Sequence, residues 1–311
     1  SAYVEITGGV PGAEFGSVEI TPDGKAIAHT GTSPHGQGHV TAWSMLVSEQ
    51  LGIPIDYVTV VHSDTDLVPL GIGTMGSRSL QHGGVLVHQA AGEVAEKARQ
   101  LAADLLEAAV DDVVLDKVAG AFHVAGTPAI AKTWAELATA AAGTDDALKV
   151  ELTVDPPGPS FPFGAHVCVV EVDTETGKVE VVRMVAVDDA GRILNPLLAD
   201  GQVHGGLAQG VAQALMEEFR YDEDGNPVTA NLADYSFVSA AELPSFERIP
   251  METPTPLNVL GAKGIGESGT IGATPAVQNA VVDALVHLGV RHVEMPTTPE
   301  RVWRAIAAAA G

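Results

Sequence analysis

The stretch GAKGIGESGT, residues 261–270, decides between two architectures. Its core, GIGESG, matches G-x-G-x-x-G. In a dinucleotide-binding parallel sheet that motif follows directly on a strand and opens a helix. Here the preceding segment is PTPLNVL (residues 254–260), and the next helix is expected only after Pro275. Lys263 precedes the glycines instead of following them, so a phosphate-binding Walker loop is excluded as well. What remains is a glycine-rich loop free to turn sharply and approach another group closely. It carries one carboxylate, Glu267, whose place neither helix nor strand propensity explains. The loop reads as a wall against something bulky and polar, with Glu267 aimed at it.

Outward from this loop the chain reads as strands mixed with helices without regular βαβ alternation. EFGSVEITPDGKAIAHTG (14–31) is two alternating segments around Pro22-Asp23-Gly24, a hairpin signal. GQGHVTAWSMLVSEQLG (36–52) places Val40, Trp43, Leu46 and Val47 on one helical face, with Gly52 as the stop. IDYVTVVH (55–62) is a short strand, residues 83–109 form a long alanine-rich amphipathic helix, and TWAELATAAAG (133–143) a second helical piece. The proline-rich VDPPGPSFPFG (154–164) marks a boundary, giving a first lobe at 1–153 and a second at 154–311. The second lobe repeats the plan: two strands around Thr176-Gly177, then a helix in GQVHGGLAQGVAQALMEE (201–218), then a hairpin or exposed turn in FRYDEDGNPV (219–228). Two further helices are expected after Pro275 and Pro299. Each lobe's helix is read as opening with Gly-Gln, at Gly36-Gln37-Gly38-His39 and at Gly201-Gln202, a weak internal duplication. The expected fold is α+β: two similar lobes, each a mixed sheet with packed helices, and a cofactor cleft between them.

The 311 residues suffice for two such lobes and a sizeable core. A net charge of −24 disfavours nucleic acid as a partner. No apolar run approaches the ~20 residues that span a bilayer. The N-terminus SAYVEITGG has neither a basic region nor an apolar block, so it is not read as a signal peptide and a cytoplasmic location is expected. It lacks an initiator Met, as a processed product or a piece of a larger protein would. The single cysteine, Cys168, excludes an internal disulfide and any all-cysteine metal or iron–sulfur site. It reads as core filler.

Three further motifs carry chemistry. A helix N-terminus presents unpaired N–H groups and a partial positive charge, which glycine leaves accessible to an anion. A glutamine beside it offers both a donor and an acceptor for the edge of a heterocycle. Within HGQGH (35–39), His35 and His39 have the spacing of a zinc pair on a helix. That geometry requires helix through Gly36 and Gly38 and lacks the accompanying Glu, so zinc is disfavoured. In GIGTMGSRSLQHGG (71–84), Thr74, Gly76, Ser77, Arg78 and Ser79 combine backbone N–H groups, hydroxyls and a guanidinium just before a helix, a phosphate cradle.

SPHGQGHVT, GTMGSRS, DDAGRILNP…GQVHGGLAQG and GAKGIGES occur in this order and at these spacings. Together they resemble the C-terminal half of the molybdenum-binding large subunit of the molybdenum hydroxylases, over essentially the whole chain. That family includes xanthine dehydrogenase, aldehyde oxidoreductases and aerobic carbon monoxide dehydrogenases, and the likeness is greatest to the last. The resemblance implies a molybdenum–molybdopterin cofactor in its cytosine dinucleotide form, the metal being held by the pterin and by no protein side chain. It implies Glu267 as general base toward a metal-bound hydroxyl. Gln37, Gly38, His39, Thr74, Gly76, Ser77, Arg78, Ser79, Gln202, Lys263, Gly264 and Gly266 would surround the cofactor. It further implies iron–sulfur clusters and FAD on partner subunits or domains, a small-molecule substrate such as an aldehyde or N-heterocycle, and oxygen drawn from water. The N-terminal half of the family's molybdopterin region is missing, so the chain alone is expected to be catalytically silent. Val40 stands where relatives often carry an acidic residue. Two other readings compete: a non-catalytic binding module of this fold, which has no need of Glu267, and a dinucleotide-dependent dehydrogenase, which lacks the strand–motif–helix context.

Overall fold

A computed structural model describes residues 1–144 and 147–311. In chain order the strands are β1 (Ala2–Val4), β2 (Glu14–Ile20), β3 (Ala26–Thr30), β4 (Val58–Val61), β5 (Val113–Asp116), β6 (Ala121–Val124), β7 (Ala131–Thr133), β8 (Lys149–Val154), β9 (Phe163–Val172), β10 (Val179–Asp189) and β11 (Phe246–Met251). The α-helices are α1 (His39–Leu51), α2 (Val85–Leu105), α3 (Trp134–Ala141), α4 (Pro196–Leu215), α5 (Ser268–Leu285) and α6 (Pro299–Ala310). The chain forms two compact units that are not contiguous in sequence. The N-terminal unit holds Gly8–Pro159 and Pro256–Ala262; the C-terminal unit holds Ser1–Thr7, Ser160–Thr255 and Lys263–Gly311.

In the N-terminal unit the main sheet runs β4-β3-β2-β8. β2 pairs antiparallel with β3 and with β8, and β3 pairs parallel with β4. The β2–β3 turn closes with Thr21 N–H on the Lys25 carbonyl (2.8 Å), and Gly24 takes the positive φ of 81° that this turn needs. β2 is buried on both faces except at Glu19. Trp43, Leu46, Val47 and Leu51 of α1 and Val87, Ala90, Val94 and Ala98 of α2 supply core. A second, antiparallel sheet, β5-β6-β7, was not foreseen. It leads into α3, which starts with a capping box between Thr133 and Glu136.

The C-terminal unit is built on β1-β9-β10-β11, with β1/β9 and β9/β10 antiparallel and β10/β11 parallel. Alternation along β9 and β10 turns Met184, Ala186 and Val181 toward Val203, Leu207, Val211 and Ala214 of α4 and Ala273, Ala276 and Val277 of α5. Cys168 packs against this core, and burial pushes its thiol up to about 11, which leaves it protonated and inert. α6, capped by Thr298 with Pro299 in its first turn, buries Val302 against Val281 and Leu285 of α5.

The internal duplication has a structural form. Each unit runs hairpin, helix, strand parallel to the hairpin's second strand, then a loop and a long helix: β2-β3-α1-β4-α2 in one and β9-β10-α4-β11-α5 in the other. Residues 71–79 and 261–267 occupy the same place in this plan.

Two sequence expectations need correction. Gln202 does not open a helix. α4 begins six residues earlier, at Pro196, where Asn195 Oδ1 accepts Leu198 N–H (3.2 Å), so Gln202 lies in its second turn. Nor does the last long helix wait for Pro275: α5 starts at Ser268 with Glu267 as N-cap and Pro275 inside it. A proline in mid-helix costs roughly 3 kcal/mol. Close packing on α4 offsets that cost. A β-carbon at Gly206 would stand 2.9 Å from the Gly269 α-carbon, and one at Gly210 2.4 Å from the Ala273 β-carbon. Only glycine permits such a crossing. GIGESG therefore does open a helix, yet no strand precedes it: in the C-terminal unit β11 ends at Met251.

Candidate functional site

The residues singled out in the sequence fall into two groups, one in each unit. In the N-terminal unit, α1 starts directly after Gly38, whose φ of 82° sets the helix direction. Gln37 is half-buried, and its Oε1 accepts the His35 N–H. The His39 ring stacks on Trp43 at 4.9 Å, and burial, aided by His35 and His62, lowers its pKa to about 4, so it is neutral. Its Nδ1 is buried without a hydrogen-bond partner among the described residues.

Residues 74–79 form the adjoining loop. It is tied down by Gly8 N–H on the Gly76 carbonyl (3.2 Å) and by Ser79 Oγ donating to Thr74 Oγ1 (3.1 Å). Gly76 and Ser77 both take positive φ, 56° and 51°. Arg78 is fully buried: Nη1 donates to Glu14 Oε2 (2.8 Å) and Nε to His82 Nδ1 (3.1 Å). Burial pushes the Glu14 carboxyl up and Arg78 pulls it down only in part. His82 lies in a π turn, Leu80–Gly84, that leads into α2. Burial and the neighbouring guanidinium lower its pKa to about 4. Arg78 thus acts as the internal strut of this loop, while its Nη2 stays buried and unpartnered among the described residues.

In the C-terminal unit, Gln202 is half-buried one turn before Gly206, the α4 residue that meets Gly269 of α5. That crossing brings Gln202 and Glu267 to the same end of the helix pair. Glu267 is exposed and makes no capping bond to its own helix. The loop before it is anchored by Lys263. Lys263 N–H donates to the Ala190 carbonyl (2.9 Å), and its Nζ donates to Asp189 Oδ2 (2.6 Å) and Thr253 Oγ1 (2.8 Å). Gly264 N–H reaches Thr7 Oγ1 (3.4 Å), and Gly266 is exposed beside Glu267.

Beneath Glu267 lies a polar network that the sequence did not disclose. Ser268 Oγ donates to Glu5 Oε2 (3.4 Å). Tyr3 Oη donates to Asp188 Oδ1 (2.6 Å), which is also hydrogen-bonded to His166 Nε2 (2.8 Å). Burial, reinforced by Asp188, holds the Tyr3 phenol well above its usual range. Two adjacent aspartates ending an apolar strand (VAVDDAG) were the available signal, since buried carboxylates need partners.

The glycine loops fit a bulky anionic group. Apart from immediate chain neighbours, no protein atom lies within 4 Å of where a β-carbon would stand at Gly36, Gly73 or Gly76 of the N-terminal unit. Backbone amides at these points can be approached directly, and the same unit holds the buried Arg78 Nη2 and His39 Nδ1 without hydrogen-bond partners among the described residues. Among the described residues no three His, Cys, Asp or Glu side chains are grouped to hold a metal ion themselves.

The family model for the molybdopterin cofactor-binding domain matches residues 1–244. The chain belongs to the molybdenum hydroxylases. This molybdenum hydroxylase chain is 40% identical over 294 residues to the carbon monoxide dehydrogenase large chain of Hydrogenophaga pseudoflava, covering 93% of itself and 36% of that relative. It superposes on carbon monoxide dehydrogenase from Oligotropha carboxidovorans with a TM-score of 0.90 at 36% identity, covering 99% of itself and 40% of that chain. On quinoline 2-oxidoreductase from Pseudomonas putida 86 the TM-score is 0.87 at 36% identity, covering 99% and 41%. The molybdenum hydroxylase chain described here therefore spans about two fifths of the length of these relatives. Among its described residues no helix is long and apolar enough to cross a membrane.

Proposed function

We propose that this chain is the base-bearing, cofactor-cradling part of the large chain of a cytoplasmic molybdenum hydroxylase. The enzyme would oxidatively hydroxylate an aldehyde, N-heterocycle or related small molecule with oxygen from water. The observation that carries this reading is Glu267: an exposed carboxylate at the N-cap of α5, on a loop pinned by Lys263 and Asp189. When bound, the molybdenum–molybdopterin group, in its cytosine dinucleotide form, supplies the two-electron redox chemistry.

The chain's own residues do the rest. Glu267 accepts a proton at its carboxylate and passes it on. Gln37, Gly38, His39, Thr74, Gly76, Ser77 and Ser79 in the first lobe (1–153), and Gln202, Gly264 and Gly266 in the second (154–311), hold the cofactor's polar edges. Arg78 and Lys263 hold the two loops in shape. The remaining large-chain half, iron–sulfur clusters and FAD belong to partner subunits or domains, and without them the chain is silent because the site is not closed from water.

The test is Glu267→Gln in the assembled enzyme. It keeps size and hydrogen-bonding shape but removes the proton acceptor, so turnover should fall ~10²–10⁴-fold with molybdenum content unchanged. Near wild-type turnover with full metal would sink the base assignment. A parallel loss of metal would move Glu267 from chemistry to loop support.

A further inference from the structure

The N-terminal unit contains a hollow that the proposed function does not use. Its volume is about 250 Å³, and every residue that lines it belongs to this unit. Protein interiors leave few voids larger than a water molecule, and an apolar cavity of roughly 150 Å³ already takes benzene. Buried Glu14, His82, Val85 and Leu86 make its floor. Exposed Val154, Asp155 and Val259 stand at its mouth. Pro156 and Pro157 stiffen one wall, so the hollow is preformed. The floor comes from an irregular stretch: His82 belongs to the π turn Leu80–Gly84, and Val85 and Leu86 open α2. A π turn breaks helix regularity, and such turns recur at functional sites.

Arg78 decides the chemistry of the floor. A guanidinium can only donate. Its Nε donates to His82 Nδ1 (3.1 Å), which is therefore the acceptor nitrogen of that ring. The ring is neutral near pH 7, because burial and Arg78 lower its pKa to about 4, so its proton sits on Nε2. Among the described residues nothing accepts a hydrogen bond from that Nε2–H. Glu14 is already committed to Arg78 Nη1 (2.8 Å). No Lys or Arg lines the hollow, and Asp155 makes its mouth acidic. An anion would find no counter-charge there, and a cation at the floor would compete with Arg78 for Glu14.

We infer that this hollow is a binding site for a small neutral molecule with a largely apolar body and one hydrogen-bond acceptor, the acceptor taking the His82 Nε2–H. Scaled from benzene in its smaller cavity, the guest has roughly ten non-hydrogen atoms. The site needs neither Glu267 nor a bound cofactor, so its failure would leave the proposed function standing.

The experiment titrates the whole chain, labelled with nitrogen-15 at histidine, with acetophenone at pH 8 and follows the ring nitrogens by NMR. Acetophenone joins a ring to one carbonyl acceptor; toluene lacks the acceptor, and benzoate adds a charge. Acetophenone should bind saturably with a Kd of ~1 mM or below and shift the His82 ring resonances. Toluene should bind at least ~5-fold more weakly, and benzoate at least ~10-fold more weakly. Val259→Trp and, separately, Val154→Trp crowd the mouth from positions that are 63% and 46% exposed. Each should weaken acetophenone binding at least ~10-fold with circular dichroism unchanged. Val118→Trp, at a fully exposed position elsewhere in the same unit, should change nothing. Absence of saturable binding, or binding that both mouth variants alter less than twofold, overturns the site. Equal affinity for toluene or for benzoate overturns the ligand class.

Discussion

Replacing Lys263 with Met tests whether the ion pair behind the Glu267 loop organises that loop or merely decorates it. Asp189 is fully buried, and the Lys263 side chain is 11% exposed. Breaking a buried pair from one side typically costs 3–5 kcal/mol, because the surviving charge is left uncompensated. Here Asp189 Oδ1 keeps the Thr253 N–H (2.6 Å) and Gly191 N–H (3.3 Å), so the lower end applies, about 2–3 kcal/mol. Asp189→Asn should cost less, about 1–2 kcal/mol, because the lysine keeps Thr253 and can extend its stem toward water. The double variant should then be less destabilised than the sum by about 1–2 kcal/mol. Urea unfolding of the four proteins gives the cycle, and raising the salt concentration should change the coupling little, since a buried pair is weakly screened. In the assembled enzyme, Lys263→Met should lower turnover with bound molybdenum retained. Single effects that add to within ~0.3 kcal/mol would show that the pair is not coupled and that the loop is held by its backbone alone.

Acid should weaken the N-terminal unit as pH falls below 6.5. His39 and His82 are both lowered to about 4, so the unfolded chain binds more protons between pH 4 and 6.5. Their contribution is whole above pH 6.5 and drains away as pH falls to 4; a His82→Gln chain should show a shallower loss in pH-dependent denaturation, and an equal slope would contradict the assignment. Gly272→Ala should destabilise the C-terminal unit by about 1–3 kcal/mol, because the new methyl would sit 2.3 Å from His166 Nδ1 and displace that ring from Asp188. A Tm within 1 °C of wild type would mean that the ring has room to move.

What the sequence made legible was local. Pro22-Asp23-Gly24 marks its hairpin because the turn needs a positive φ that glycine supplies, and Thr298-Pro299 marks α6 because cap and first-turn chemistry are short-range. Asn195-Pro196 carried the same signal for α4, and the repeated Gly-Gln letters drew attention away from it. Pro275 misled for the opposite reason: packing of α5 on α4 outweighs a local penalty, and a partner 60-odd residues away is invisible in a local pattern. The same holds for the polar partners. Arg78 pairs with Glu14, 64 residues distant. Lys263 pairs with Asp189, 74 residues away. Residue types at the site were readable; which charges the fold had already spent on each other was not.

The route of the chain sets an order of assembly. It passes from one unit to the other after residues 7, 159, 255 and 262, and β1 meets its neighbour β9 in the register Ala2↔Ala165. During synthesis at ~5–20 residues per second, that first strand emerges roughly ten to thirty seconds before its partner exists. Gly8–Pro159 is made within that interval and can collapse on its own hairpin and helices, while the segment ahead of it waits unpaired with Val4 and Ile6 open to water. The sheet that positions Glu267 is therefore closed late, by a strand made some 160 residues before its partner.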